Sequence, residues 1–149
     1  MKKWKKRFVI IAILLLAGSL LRLYFLPERK ITRFVNTNEE ALKELALDYL
    51  SGEKYYLGEP VFCKNVEMKG VKNGDHPIVE FYHSGFGIAP SGVYYGFYYS
   101  PDNVPVAILD YDSLLKPSGY EEWMWSGAGD NGGMTKRIKE NWFYYEAWF

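Results

Sequence analysis

One cysteine in 149 residues leaves no partner for an internal disulfide, so Cys63 staples nothing within this chain. Two histidines, His76 and His83, supply at most two imidazoles to a metal centre. Serine lacks the setting of an activated nucleophile: neither YHSGF nor APSGV has glycine on both sides at nucleophile-elbow spacing. The chain also lacks internal repeats, low-complexity runs and a second domain boundary. Formal charge is balanced, with 18 basic and 18 acidic residues. That balance hides a strong asymmetry, and the asymmetry organises the rest of the sequence.

Residues 1–30 hold 8 basic residues and 1 acidic one, which leaves 10 basic and 17 acidic residues, a net charge of −7, for residues 31–149. Such a domain has no clustered basic footprint, so nucleic acid is excluded as a partner, and so is a domain lying flat on anionic lipid. The basic excess sits in Lys2, Lys3, Lys5, Lys6 and Arg7, immediately before fourteen uncharged residues, Phe8 to Leu21. Residues 8–26 amount to about 28 Å of helix, close to the ~30 Å hydrocarbon thickness of a bilayer. Arg22 lies within a turn of the outer end, where its stem stays in lipid while the guanidinium reaches the head groups. Pro27 reads as the end of that span. Retention of the cation cluster in the cytoplasm puts the remainder outside, so the lipid bilayer is the first expected partner, through residues 8–26. The competing reading is a cleaved signal peptide, with Ala17 and Ser19 as the small residues before the cut. Cleavage would leave the apolar start LLRLYFLP, which favours the uncleaved anchor.

The expected organisation is a basic tip and signal anchor over 1–30, then one extracytoplasmic α+β domain over 31–149. Residues 31–37 read as a lead-in. Thr37 and Glu40 form a capping box for a helix whose Ala41, Leu42, Leu45, Ala46, Tyr49 and Leu50 follow the spacing of one buried stripe, with Gly52 as its stop. Strands are expected at about 60–69, 77–84, 92–100, 104–111, 121–126 and 134–148, the last broken at KEN. KNGD at 72–75 and SPDN at 100–103 are the turns. A single helix covering one face of an antiparallel sheet of about five or six strands follows. Cys63, in PVFCKNVEM, reads as a small buried side chain.

The densest aromatic stretch is GVYYGFYYS, residues 92–100, with aromatics making up 18% of the whole chain. A hairpin turning at Asp102 and Asn103 pairs Phe97 with Ile108 on one face, and Tyr98 with Ala107 and Tyr94 with Tyr111 on the other. Phe97 and Ile108 are assigned to the helix-covered core. Tyr94 and Tyr98 flank Gly96 on the second face, which leaves a dip there. Either the chain's own loops cover that face, or it is an exposed platform for sugar or peptide. Trp123 and Trp125 share another strand face, and Asp130 and Asn131 lie in the glycine-rich SGAGDNGG. Those two side chains offer oxygens, but the loop lacks the alternating acidic spacing of a calcium loop and reads as a hairpin tip. Tyr94, Tyr98, Tyr111, Trp123, Trp125, Asp130 and Asn131 are therefore the candidate ligand-contacting residues. GFGIAPSG at 85–92 has no helix pattern or lysine after it and is no phosphate loop. No metal or cofactor is expected, and no catalytic residue is assigned: Glu80 and His83 stand on opposite faces of a strand, and Asp110 and Asp112 read as solvated.

With its short basic-hydrophobic anchor, single capped helix and Tyr- and Trp-rich strands, the chain resembles the small, N-terminally anchored extracytoplasmic proteins of unknown function of Gram-positive bacteria. The resemblance implies a cell-surface or wall-facing location and carries no functional residue over. The resulting expectation is a membrane-tethered binding or accessory module facing a protein or cell-wall partner. The alternatives are an immunity-type protector and a surface hydrolase, the latter requiring His83, Glu80, Asp110 or Asp112 to converge in a cleft.

Overall fold

The computed structural model describes Gly18 and residues 26–52, 67–72, 75–88, 91–108 and 114–149. The expected span at 8–26 falls almost wholly outside these residues, as do Cys63, Asp110, Tyr111 and Asp112. Among the described residues no helix is long and apolar enough to cross a membrane.

The helix α1 (Pro27–Ser51) begins ten residues before the expected cap. Pro27 opens it: proline at the first helical position has a suitable φ and lacks only an N–H that would be unpaired there anyway. The lead-in is helical because Ile31 and Val35 extend the buried stripe of Leu42, Leu45 and Ala46 by two turns, and all five are buried. The capping-box signal at Thr37 marks a kink instead of a start. Asn38 has non-helical φ −116° and ψ 19°, and its Nδ2 donates to the Phe34 carbonyl at 2.8 Å, the acceptor its own backbone N–H serves in a regular helix. Gly52 ends α1 as expected, with φ 72° and its N–H on the Tyr49 carbonyl.

The other elements among the described residues form one antiparallel sheet of seven strands: β1 (Glu67–Lys72), β2 (Ile78–Ile88), β3 (Ser91–Tyr99), β4 (Lys116–Gly119), β5 (Glu122–Ser126), β6 (Gly132–Lys139) and β7 (Trp142–Trp148). Their spatial order is β1-β2-β3-β7-β6-β5-β4. Two meanders thus meet at the central β3–β7 pair, and the chain between β3 and β4 must travel from the middle of the sheet to its far edge.

That route overturns the expected hairpin. Pro101 and Asp102 do turn the chain, with the Asn103 N–H on the Ser100 carbonyl at 3.0 Å, but 104–107 form no strand and β3 pairs with β2 and β7. The turn is captured by the β6–β7 hairpin: Asn141 N–H donates to Asn103 Oδ1 at 2.9 Å, Asn141 Nδ2 to the Ser100 carbonyl at 2.8 Å, and Arg137 to Asn103 Oδ1. Residues 104–108 then pass over the sheet face opposite α1. Phe97 does lie in the helix-covered core, but Ile108 belongs to the opposite cluster, so the expected Phe97–Ile108 pairing is wrong.

Two aromatic layers result. Beneath α1, Phe97 stacks on Phe81 at 4.9 Å and meets Phe34 and Trp142 at about 6 Å centroid separations. On the other face Tyr98 stacks on Phe143 at 5.1 Å beside Ile78, Trp125, Tyr145 and Ala147, closed by Val106, Ala107 and Ile108. Two strand expectations also change. β2 continues to Ile88 through residues read as a loop, because Gly87 pairs with Gly92 and Ile88 with Ser91. β4 went unexpected because an exposed edge strand containing Pro117 has no apolar alternation to reveal it.

Candidate functional site

The candidate residues separate into a buried set and a small open set. Tyr98 is fully buried and its hydroxyl is satisfied twice. The Val106 N–H donates to it at 2.9 Å, and it lies 2.7 Å from Thr135 Oγ1, which donates onward to the Tyr144 carbonyl at 3.1 Å. Since the threonine proton is used, Tyr98 donates to Thr135, and a directed chain of three bonds joins four segments. Burial pushes the Tyr98 phenol well above its ordinary range. The dip expected at Gly96 is filled: a Cβ there would lie 2.5 Å from the Tyr145 ring. Tyr145 passes over the glycine and donates to the buried Glu80 carboxyl at 2.7 Å.

The tryptophans are structural as well. Trp125 is buried and its indole lies on Gly133, while Trp123 meets Phe143 edge-on at 6.4 Å. Arg137 spreads over Phe143 at 4.6 Å and pairs with Glu121 at 3.2 Å. Asp130 and Asn131 sit at the β5–β6 hairpin tip, where the Asn131 carbonyl accepts from Gly127 N–H at 2.9 Å. Among the described residues no group of three or more His, Cys, Asp or Glu side chains is placed to hold a metal ion. Tyr111 lies outside the described residues. The described candidates are therefore not brought together into one site.

Tyr94, 37% exposed, stands near the turn end of the β2–β3 hairpin. Its ring meets Tyr82 at 6.3 Å and stands edge-on to Phe149 at 5.7 Å. Between Tyr82 and Tyr94 runs a glycine floor of Gly85, Gly87 and Gly92, bordered by Phe86 and Ser91, enclosing a recess of about 220 Å³. Two floor positions disfavour a side chain: a Cβ at Gly85 would lie 2.8 Å from the Tyr82 hydroxyl, and Gly87 has φ 142°. A bulge between Tyr82 and Ser84 leaves His83 without a cross-strand partner and sends it away from the recess. His83 Nδ1 lies 3.0 Å from Ser84 Oγ, and its imidazole is held below 6.5 chiefly by burial and secondarily by the charge of Lys30. Glu80 and His83 do not converge. The sequence reading missed Tyr82 and the recess; the available signal was the alternation of glycine at 85 and 87, which frees one strand face of side chains.

At about 220 Å³ the recess is smaller than the roughly 300–1,000 Å³ of pockets for drug-sized ligands. Two tyrosine faces over bare backbone suit a group of one ring or one side chain, held by stacking and by phenol hydrogen bonds. Comparison with protein-family models, curated proteins and solved structures finds no match for this chain.

Proposed function

We propose that the chain is a membrane-tethered extracytoplasmic binding or accessory module whose contact with a protein or cell-wall partner centres on the Tyr82–Tyr94 recess. The observation that carries the site is the exposure of Tyr94 over a glycine floor, on a sheet where the candidates Tyr98 and Trp125 are buried. The anchor reading is carried by the cation cluster and the apolar run at 8–26. A surface hydrolase is less well supported, since Tyr145 engages Glu80 on one sheet face while His83 lies toward Lys30.

Both parts are testable on intact cells. Protease added to wall-stripped cells should degrade the chain after Lys30 and spare an N-terminal tag; protection of the C-terminal domain would refute the orientation. A photocrosslinking residue at exposed Ser91 should capture a partner that the same residue at Tyr120 does not, and Tyr94→Ala should reduce capture with little change in melting temperature. Equal capture at 91 and 120 would remove the recess as the site.

A further inference from the structure

We propose that the end of the β2–β3 hairpin, through Phe86 and Ile88, rests in the interfacial zone of the same bilayer that residues 8–26 are read as spanning. The inference depends on that anchor reading.

Phe86 and Ile88 are 85% and 87% exposed, which for adjacent same-face side chains on a strand is a substantial unburied apolar surface. Phe86 pairs with Val93, and Val93 with Trp148; Val93 has the parity of Phe97, so these side chains stand on the face that α1 covers further along. The direction of α1 follows from its ion pairs. Glu39 joins Lys139 beside the β6–β7 turn, whereas Glu28 joins Lys136 at 2.8 Å, and Lys30 acts on His83. The helix therefore begins on the side nearer the turn end of the β2–β3 hairpin. Leu26, the last residue of the apolar segment, enters there and is itself 42% exposed.

The point where the chain arrives from the expected span and the exposed tip thus occupy one end of the domain. Tyr94 lies at this end too, against Phe149, and tyrosine is an aromatic that settles at the membrane–water boundary. Leu26 is non-helical, at φ −57° and ψ 136°, so α1 starts afresh at Pro27. Contact through a narrow apolar tip also suits a domain of net charge −7, for which a broad electrostatic contact with anionic lipid is unfavourable. Docking would set the Tyr82–Tyr94 recess at head-group level.

The test uses the full chain in phosphatidylcholine vesicles, with a fluorophore on Ile88→Cys or Tyr120→Cys in a Cys63→Ser background. Quenching at 88 by brominated lipid, none at 120, and loss of quenching at 88 on adding Phe86→Asp are expected. A chain that floats with the vesicles while the label at 88 remains open to aqueous iodide overturns the docking and leaves the anchor standing. Shielding from iodide without bromolipid quenching assigns the tip to a second copy, which also overturns it. Failure to float overturns the anchor and the docking together.

Discussion

The phenol of Tyr145 lies across Gly96 and donates a 2.7 Å hydrogen bond to the carboxyl of Glu80, joining β7 to β2 over the intervening β3. Both side chains are almost wholly buried. Tyr145→Phe should cost about 1–3 kcal/mol, because it strands a buried acceptor. Glu80→Gln keeps a carbonyl acceptor and should cost less. A double-mutant cycle by urea unfolding should return a coupling of about 0.5–3 kcal/mol; additivity would mean that the bond does not form.

The glycine is as necessary as the bond. Gly96→Ala brings a methyl against the Tyr145 ring and the backbone carbonyl of Phe81, and the carbonyl is held in the sheet. A loss of about 1–3 kcal/mol is expected from overpacking, with the melting temperature as readout. An unchanged melting temperature would place Tyr145 elsewhere.

Tyr98 separates scaffold from surface. Tyr98→Ala and Phe97→Ala should each destabilise by about 3–5 kcal/mol, since both are buried aromatics on opposite faces of one strand. Tyr98→Phe should cost about 1–3 kcal/mol through the stranded Val106 N–H and the altered Thr135 hydroxyl. A Tyr98→Ala protein that melts like its parent would show that residues 104–108 do not close this face.

His83 should give the domain a mild acid sensitivity. Its folded-state pKa lies below the ordinary 6.5, so below pH 6.5 the unfolded chain binds more protons at this site and stability falls with pH. The loss should begin near pH 6.5 and level off once the pH passes below the depressed folded value. His83→Gln should flatten that part of a stability–pH curve; an unaltered slope would assign it to other groups.

Local chemistry was legible where one residue decides it. Gly52 ends α1, KEN separates β6 from β7, and SGAGDNGG forms a hairpin tip, because each depends on a few adjacent backbone angles. The helix start was misread for the same local reason: Thr37 and Glu40 look like a cap, but burial of Ile31 and Val35 under a sheet outweighs that signal. Periodicity likewise identified Phe97 as core and recognised Tyr98 as lying on the opposite face.

The chain's own residues, read in order, determined an α+β domain with one helix on an antiparallel sheet, and an N-terminal basic cluster followed by an apolar run. Tertiary structure decided what becomes of each aromatic. Alternation along a strand says only which side a ring takes. Whether that side is dry depends on partners distant in sequence: on residues 104–108 leaving the turn to cover Tyr98, on Tyr145 filling the place over Gly96, and on the β2–β3 hairpin continuing far enough to leave Phe86, Ile88 and Tyr94 uncovered. Those contacts are set by how two meanders meet at β3 and β7, and no local window of the sequence contains both sides of that junction.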